Sequence, residues 1–590
     1  MKTNLLSYFC LLLLLISRNE IQSQNIPSLA PVFGTSGNID YQMQGKAVGA
    51  FAKCHALQPD GKLILGGYNY YSTDNSYITS LLRIDPICGK PDSSFGVNGF
   101  VTHVFEQRTI CHDIAIQQDG KIVGCGLIAP SNAGSQQQAS VFRFNPNGSV
   151  DSTFNGQGYI KLSLLGTLSS QAHKVFIDAQ GKILVLLKGG SIANPSMGIY
   201  RFMTNGKLDS TYGKNGQVVV PYGYAPTSDY ISAAMDSNAN ITMVSMVGIF
   251  QGNSFLSVAK IDKNGVRDSS FNLTGYREYP EIVLNSSTVG PNGYDLALLP
   301  GGRFVASIGK NVSSGSTATL IAFLPNGTID STFGTHGTFT FAGTAAVSGG
   351  IEIDANGRIL LFTCKNSNDG PGAVLRLLPN GTLDSIFGIN GLILSPFNPS
   401  PTNDFRKFND GLILPNGDIF AYGSRGGVGF SASRYSFNPT LDALPQIVRN
   451  GNQLSTSGLG SFQWFFNGVE ISGATANSIN IAGDGSYTVS MGFESCTFTS
   501  QPFEVTTIGI QDVYAKAIEI RNNPTKDYVF IENAPANTSW EVYNIEGKSL
   551  LSGTNNINGK IDLSGIAAGV YILKCVTDLK MVNNFRIVKQ

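Results

Sequence analysis

Seven aspartates recur along the chain, at Asp92, Asp151, Asp209, Asp268, Asp330, Asp384 and Asp442, six of them followed by Ser and, three residues on, by Phe or Tyr. Carboxylates can hold cations, move protons or attack a sugar carbon, so these come first among candidates for chemistry. Seven copies in one context, however, suit one shared local task, in which each carboxylate accepts backbone N–H groups one or two residues further on. A site should appear where the copies differ. Seven residues before each hairpin glycine, or its equivalent, stand Cys54, Asp113, Lys174, Ala233, Asp295, Gly350 and Asp410. If that position opens the innermost strand of each repeat, Asp113, Lys174, Asp295 and Asp410 ring one mouth of a central channel and offer a cation or a polar ligand a site; solvated strand ends are the simpler account.

Other chemistries find less support. Glycoside hydrolysis uses a paired acid and base or nucleophile at a fixed separation, yet Glu106, Glu278, Glu281 and Glu352 are the only glutamates between Gln24 and Asp442, and both tryptophans, Trp464 and Trp540, lie downstream. Tyr68, Tyr70, Tyr71 and Tyr77 crowd one loop without catalytic spacing. The five histidines, His55, His103, His112, His173 and His336, contain no His-x-x-x-His pair, and no Gly-x-Ser-x-Gly stands beside a plausible triad. Asp236 to Asn240 partly resembles a calcium loop, but Ile241 replaces the glycine such a loop needs. No metal or other cofactor is expected.

The elements that position these residues repeat. The aromatic of the motif falls at Phe33, Phe95, Phe154, Tyr212, Phe271, Phe333 and Phe387, 54 to 62 residues apart, a period that marks a repeat architecture. Each repeat holds a hairpin turn, such as Asp119-Gly120, whose residues tolerate positive φ. It also holds an alternating run such as Ser140–Asn147 and a short strand after the Phe motif. Four strands fit each sixty residues with no helical period between them, which predicts a seven-bladed β-propeller. Phe33 has no aspartate before it, and Asp442 no aromatic-Gly after it. The two should complete one turn in space, the chain's own ends closing the ring.

From Pro31 to Asp442 these motifs resemble the delta-sixty repeat family of secreted bacterial proteins. The resemblance implies a propeller-like array and brings no catalytic residues. The Asp motif also faintly resembles the Asp box of sialidases, and Asp-Ser-Thr at Asp151, Asp209 and Asp330, with Asp-Ser-Ile at Asp384, resembles the O-glycan acceptor of Bacteroidetes.

The remaining chain divides at its ends. Lys2, an apolar run from Leu5 to Ile16 and small residues up to Ser23 predict a signal peptide over 1–23, too short to span a bilayer comfortably. The propeller follows over 24–443. Residues 444–508, with Trp464 and the Gly-Ser-Tyr at Gly485–Tyr487, resemble an Ig-like sandwich without its disulfide; Leu454 and Val489 stand near where the cysteines would be. Residues 509–590 resemble the type A C-terminal sorting domain of the type IX secretion system of Bacteroidetes, through Trp540–Lys548, Gly569-Val570-Tyr571-Ile572-Leu573-Lys574 and the basic end at Lys589. They depart from it at Arg521-Asn522-Asn523-Pro524, where an aromatic-Pro-Asn-Pro turn is usual. The type IX machinery is then a partner, and the product is secreted or displayed on the outer cell surface.

Composition agrees with export and with a neutral surface. Forty basic and 40 acidic side chains balance, and 14% of residues are charged, so nucleic acid, which needs concentrated positive charge, is not a partner. No later segment spans a membrane. The scattered cysteines Cys54, Cys88, Cys111, Cys125, Cys364, Cys496 and Cys575 form no evident framework. Cys54 and Cys111 fall on equivalent strands, but the set reads as buried free thiols. The whole describes an all-β, non-enzymatic binding or adhesion protein that recognises a glycan or surface protein; its rival is a polysaccharide-active enzyme, a glycoside hydrolase or sialidase-like protein on the same scaffold.

Overall fold

The computed structural model describes residues 27–590 other than 32, 35–36, 43–48, 72–75, 107, 130–136, 165–169, 192–193, 222–230, 251–252, 286–294, 313–314, 342–347, 365–370, 396–405, 426–428, 438–443, 458–459, 494–495, 507–517, 536, 555–558 and 578–581. The expected signal peptide and Asp442 lie outside the described residues. The chain forms two compact units, the first Met1–Pro445 with Gly458–Ser461 and Met491–Thr499, the second Gln446–Ser457, Phe462–Ser490 and Ser500–Gln590.

Between Ser28 and Ser436 the described strands make seven antiparallel sheets. Their first strands are β1 (Gly49–Leu57), β2 (Arg108–Ile116), β3 (Gln171–Ile177), β4 (Ile231–Met235), β5 (Asp295–Leu298), β6 (Ser348–Ile353) and β7 (Arg406–Ile413). Each lies against the next in that order, and β7 lies against β1, so the first strand of every blade is the innermost one and the array closes on itself as a propeller. The last blade is finished by the chain's beginning. Ser28–Leu29 pairs with Tyr435 and Ser436, and Asn38–Gln42 pairs with Gly429–Ser433.

Apolar side chains fill the gaps between neighbouring sheets. Cys54, Ile64 and Leu81 of the first blade meet Cys111, Ile114 and Ile122 of the second, all buried. Each repeat's aromatic seals the seam to the next blade: Phe154 has no solvent exposure and packs on Gly206, whose φ is +88° and whose missing Cβ would lie 2.8 Å from the ring. Phe33 plays this part at the closure, with its ring edge-on to Phe420 at 5.5 Å.

The repeated aspartate does more than shape a turn. Asp151 Oδ1 accepts the N–H and hydroxyl of Thr153, as the Asp-Ser-Thr context predicts, while Oδ2 pairs with Arg143 at 2.8 Å and Lys121 at 3.0 Å. The hairpin lysine, the arginine of the third strand and the aspartate are thus three ends of one buried ion pair, and Arg143 also lies 4.6 Å over the ring of Phe154. Burial raises the Asp151 pKa, but Thr153, Lys121 and Arg143 outweigh it and hold the carboxyl down at about 2. The pattern recurs at Lys62–Asp92–Arg83, Lys182–Asp209–Arg201, Arg303–Asp330 and Arg376–Asp384. The closing blade departs from it. Its hairpin reads Asn416-Gly417-Asp418, an acid where every other hairpin but the fourth, which has Ile241, places a base, and Arg434 is held by Asp418 at 2.9 Å.

The cysteine expectation needs one correction. Cys88 and Cys496, both in the first unit, form a disulfide, whereas Cys54, Cys111, Cys125, Cys364 and Cys575 are free and buried. Their Cα atoms are 6.1 Å apart, within bridging range, but 408 residues separate them in sequence, beyond any local spacing rule. Cys54 and Cys111 do approach, with Sγ atoms 3.9 Å apart and no bond between them.

Downstream, Trp464 is fully buried with Leu454, Tyr487 and Val489, and donates from Nε1 to Ala476 O at 2.9 Å. The Tyr487 hydroxyl donates to Gly483 O at 3.0 Å. The last segment packs a three-stranded sheet and a four-stranded sheet around Tyr571, Leu573, Cys575 and Ile587. Gly569 pairs with Lys589 across two adjacent strands. Lys589 Nζ donates to the carbonyls of Leu563, Ser564 and Ile566, and Asn523 bonds the backbone of Arg586 and Val588.

Candidate functional site: a polar ring in the propeller channel

The innermost strand of a blade is an edge strand, and its outward backbone groups need partners. A β-bulge interrupts β1, β2, β3 and β7 at Lys53, His112, His173 and Asn409, and β6 is irregular between Ser348 and Ile351. A bulge re-aims neighbouring side chains, and here the residue after it is Cys54, Asp113, Lys174 or Asp410. The bulges correct one expectation. Asp113, Lys174 and Asp410 sit inside their strands and do not open them; only Asp295 opens its strand. The strands begin several residues earlier than the turn spacing implied.

The carboxylates follow one rule: each reaches the residue just past the equivalent position in the next blade. Asp113 Oδ2 accepts Val175 N–H at 2.9 Å, and Asp295 Oδ2 accepts Ile351 N–H at 3.0 Å. Asp410 Oδ2 lies 3.6 Å from His55 Nδ1 and accepts the Tyr422 hydroxyl at 3.1 Å. Part of their task is therefore to staple blade to blade. Lys174 Nζ stands 3.6 Å from Asp295 Oδ1, too far for a hydrogen bond, and its side chain is 29% exposed. Burial opposes its charge, but Asp295, Asp113 and Asp410 overcome this and raise its pKa. All four predicted residues thus meet in one electrostatic field.

Three members of the ring escape the spacing rule. His55, Glu352 and Tyr422 gather about Asp410, with His55 Nδ1 3.0 Å from the Tyr422 hydroxyl and Nε2 4.0 Å from Glu352 Oε1. Burial pushes Glu352 up to about 7, the His55 charge working against that shift and Asp410 adding to it. A signal was present: Glu352 is an acid within the otherwise apolar run Gly349–Ile353. Its raised pKa means ionisation disfavours the fold. The penalty is absent below the ordinary glutamate range, grows as pH rises to about 7 and levels off above it. Glu352→Gln should therefore raise the thermal midpoint at pH 8 and leave it nearly unchanged at pH 4; equal shifts at both would contradict this.

Gly350 makes room for the ring. A Cβ there would lie 1.6 Å from Asp410 Oδ1, which accepts the Gly411 N–H at 2.8 Å and cannot swing away without losing that bond. Gly350→Ala should cost about 1–3 kcal/mol, the usual range for overpacking, measured by urea unfolding. Among the described residues, Asp85, Cys88 and Cys496 lie within metal-ligand reach of one another, but the disulfide removes both sulfurs as thiolate ligands.

The two ends of the blades are built differently. First and second strands are joined by five residues in all seven blades, whereas second and third strands are joined by two to eight. Variation is thus concentrated at the end opposite the Asp-Gly turns.

Residues 58–95 and 117–154 match the DUF5122 β-propeller, a domain of unknown function. Residues 522–589 match the secretion system C-terminal sorting domain. The chain therefore carries a propeller and a type IX sorting domain, and is directed to the outer cell surface or the extracellular space. No helix among the described residues is long and apolar enough to cross a membrane. No curated protein matches the chain. Solved structures similar to it include the polysaccharide lyase Uly1 (11% identity, 67% of this chain and 91% of that one, TM-score 0.39). Others are Drosophila Semaphorin 2a (10% identity, 78% and 97%, TM-score 0.39) and the β-propeller domain of the Trilobed protease from Pyrococcus furiosus (8% identity, 66% and 94%, TM-score 0.34).

Proposed function

We propose that the chain is an extracellular or surface-displayed binding protein. Its propeller would recognise a polar ligand over the blade ends joined by variable connections, with the channel ring as the polar floor of the site. We further read 444–508 as an Ig-like spacer and 509–590 as the removable export address. The observation that carries the binding role is Lys174. Its partly buried ammonium makes no hydrogen bond among the described residues and is held by the charge of three carboxylates without being bonded to any of them, an arrangement that the repeats do not share. Uneven connections on a rigid scaffold are where binding residues concentrate.

The test is a glycan and surface-component array probed with the mature full-length protein, beside Lys174→Met. Captured material that the variant no longer holds supports the proposal; equal capture by both would reject the ring as its floor. One observation favours an enzyme as the second reading: Glu352, with its pKa near 7 and His55 4.0 Å away, has the poise of a general acid. Turnover of any polysaccharide that Glu352→Gln abolishes would replace binding with catalysis.

A further inference from the structure

The seam between the first and second blades, at their variable end, holds a cation that the propeller does not use. Arg108 opens β2, and its guanidinium lies 4.2 Å over the ring of Tyr77. It makes no hydrogen bond or ion pair among the described residues, and its Nε is shut off from solvent without a partner. Among the described residues, every other arginine that lies over an aromatic ring in this propeller also bonds a carboxylate or a backbone carbonyl, as Arg143 and Arg277 do. A donor shut off from water without an acceptor costs free energy. An anion set beside it would recover that cost through paired N–H donors.

The surroundings define the rest of the ligand. Tyr77 is one end of a run of part-exposed rings, 4.9 Å from Tyr70 and 5.7 Å from Tyr68, which in turn lies 5.0 Å from Phe51. These rings share the face of the sheet that carries Thr79, directly across from Tyr68. Thr79 has no solvent exposure, and its hydroxyl has no partner. A strip of four rings rimmed by phenolic hydroxyls suits the C–H faces and hydroxyls of pyranose rings. One guanidinium suits one negative charge per sugar, whereas phosphopeptide readers gather several arginines.

We infer that this seam is a subsite for an acidic polysaccharide, its sugar rings stacked on Phe51, Tyr68, Tyr70 and Tyr77 and its carboxylate or sulfate held by Arg108. The inference rests on the binding role proposed above and names its ligand class. Affinity electrophoresis of the mature full-length protein through gels containing alginate, dextran sulfate or neutral dextran tests it. Alginate or dextran sulfate should retard the protein and dextran should not; which of the two acts identifies carboxylate or sulfate as the anion. Arg108→Gln should weaken that retention at least tenfold with its thermal midpoint unchanged, and Tyr70→Ser, at a part-exposed ring, should weaken it too. Retention by dextran equal to that by the acidic polymers, full retention of Arg108→Gln, or no retention by either acidic polymer overturns the inference. Loss with Lys174→Met but not with Arg108→Gln also overturns it while leaving the channel reading intact. Should Arg108→Gln fail to fold, full retention of Tyr70→Ser overturns it.

Discussion

Asp384→Ala should destabilise the propeller by about 3–5 kcal/mol, the usual cost of removing one partner from a buried ion pair. Arg376 is 2% exposed, donates from Nε to Asp384 Oδ2 at 2.8 Å, and lies 4.3 Å over Phe387. With the carboxylate gone, the guanidinium stays out of water without its counter-charge. Adding Arg376→Met should return much of the loss, since an apolar side chain of similar volume needs no counter-ion. Urea unfolding followed by circular dichroism reads the effect, and Trp464 and Trp540 supply a separate fluorescence signal from the downstream segments. A single-variant loss below 1 kcal/mol would show the pair to be dispensable.

Deleting Ala568–Gln590 should abolish export in cells carrying the type IX machinery, leaving the protein in the periplasm. The deletion removes Gly569–Val576 and Val582–Lys589, two of the four strands in their sheet, and with them Tyr571, Leu573, Cys575 and Ile587 from the core. It also removes Lys589, whose ammonium caps three carbonyls of the turn at Leu563–Ile566. Cell fractionation and immunoblotting of the medium measure the outcome. Unchanged export would reject this segment as the address.

Period and turn chemistry made the propeller legible. The aromatic position and the hairpin-turn position each do one local job seven times, and local jobs leave local marks. The ends were legible for the same reason: a motif split between Phe33 and Asp442 implied closure, and Ser28–Leu29 and Asn38–Gln42 do complete the last blade. Long-range partnership was harder to read. Asp151, the turn Asp119-Gly120 and the run Ser140–Asn147 each stood out as repeat landmarks, yet the convergence of Lys121 and Arg143, which lie in the latter two stretches, on the Asp151 carboxylate depends on the twist of a whole blade. Lys174 and Asp295 are 121 residues apart and meet only because two blades share an axis. The bulges beside Asp113, Lys174 and Asp410 carry no composition signal, and Cys88 with Cys496 followed no spacing.

The closure also bears on when this protein can fold. Ser433 Oγ donates to Asn38 Oδ1 across 395 residues, so the final seam cannot form until nearly the whole propeller has been synthesised and its oldest segment is still free to dock. Contacts so distant in sequence slow folding. Until those two segments meet, the last blade lacks its outer strands and one edge of its sheet stands open.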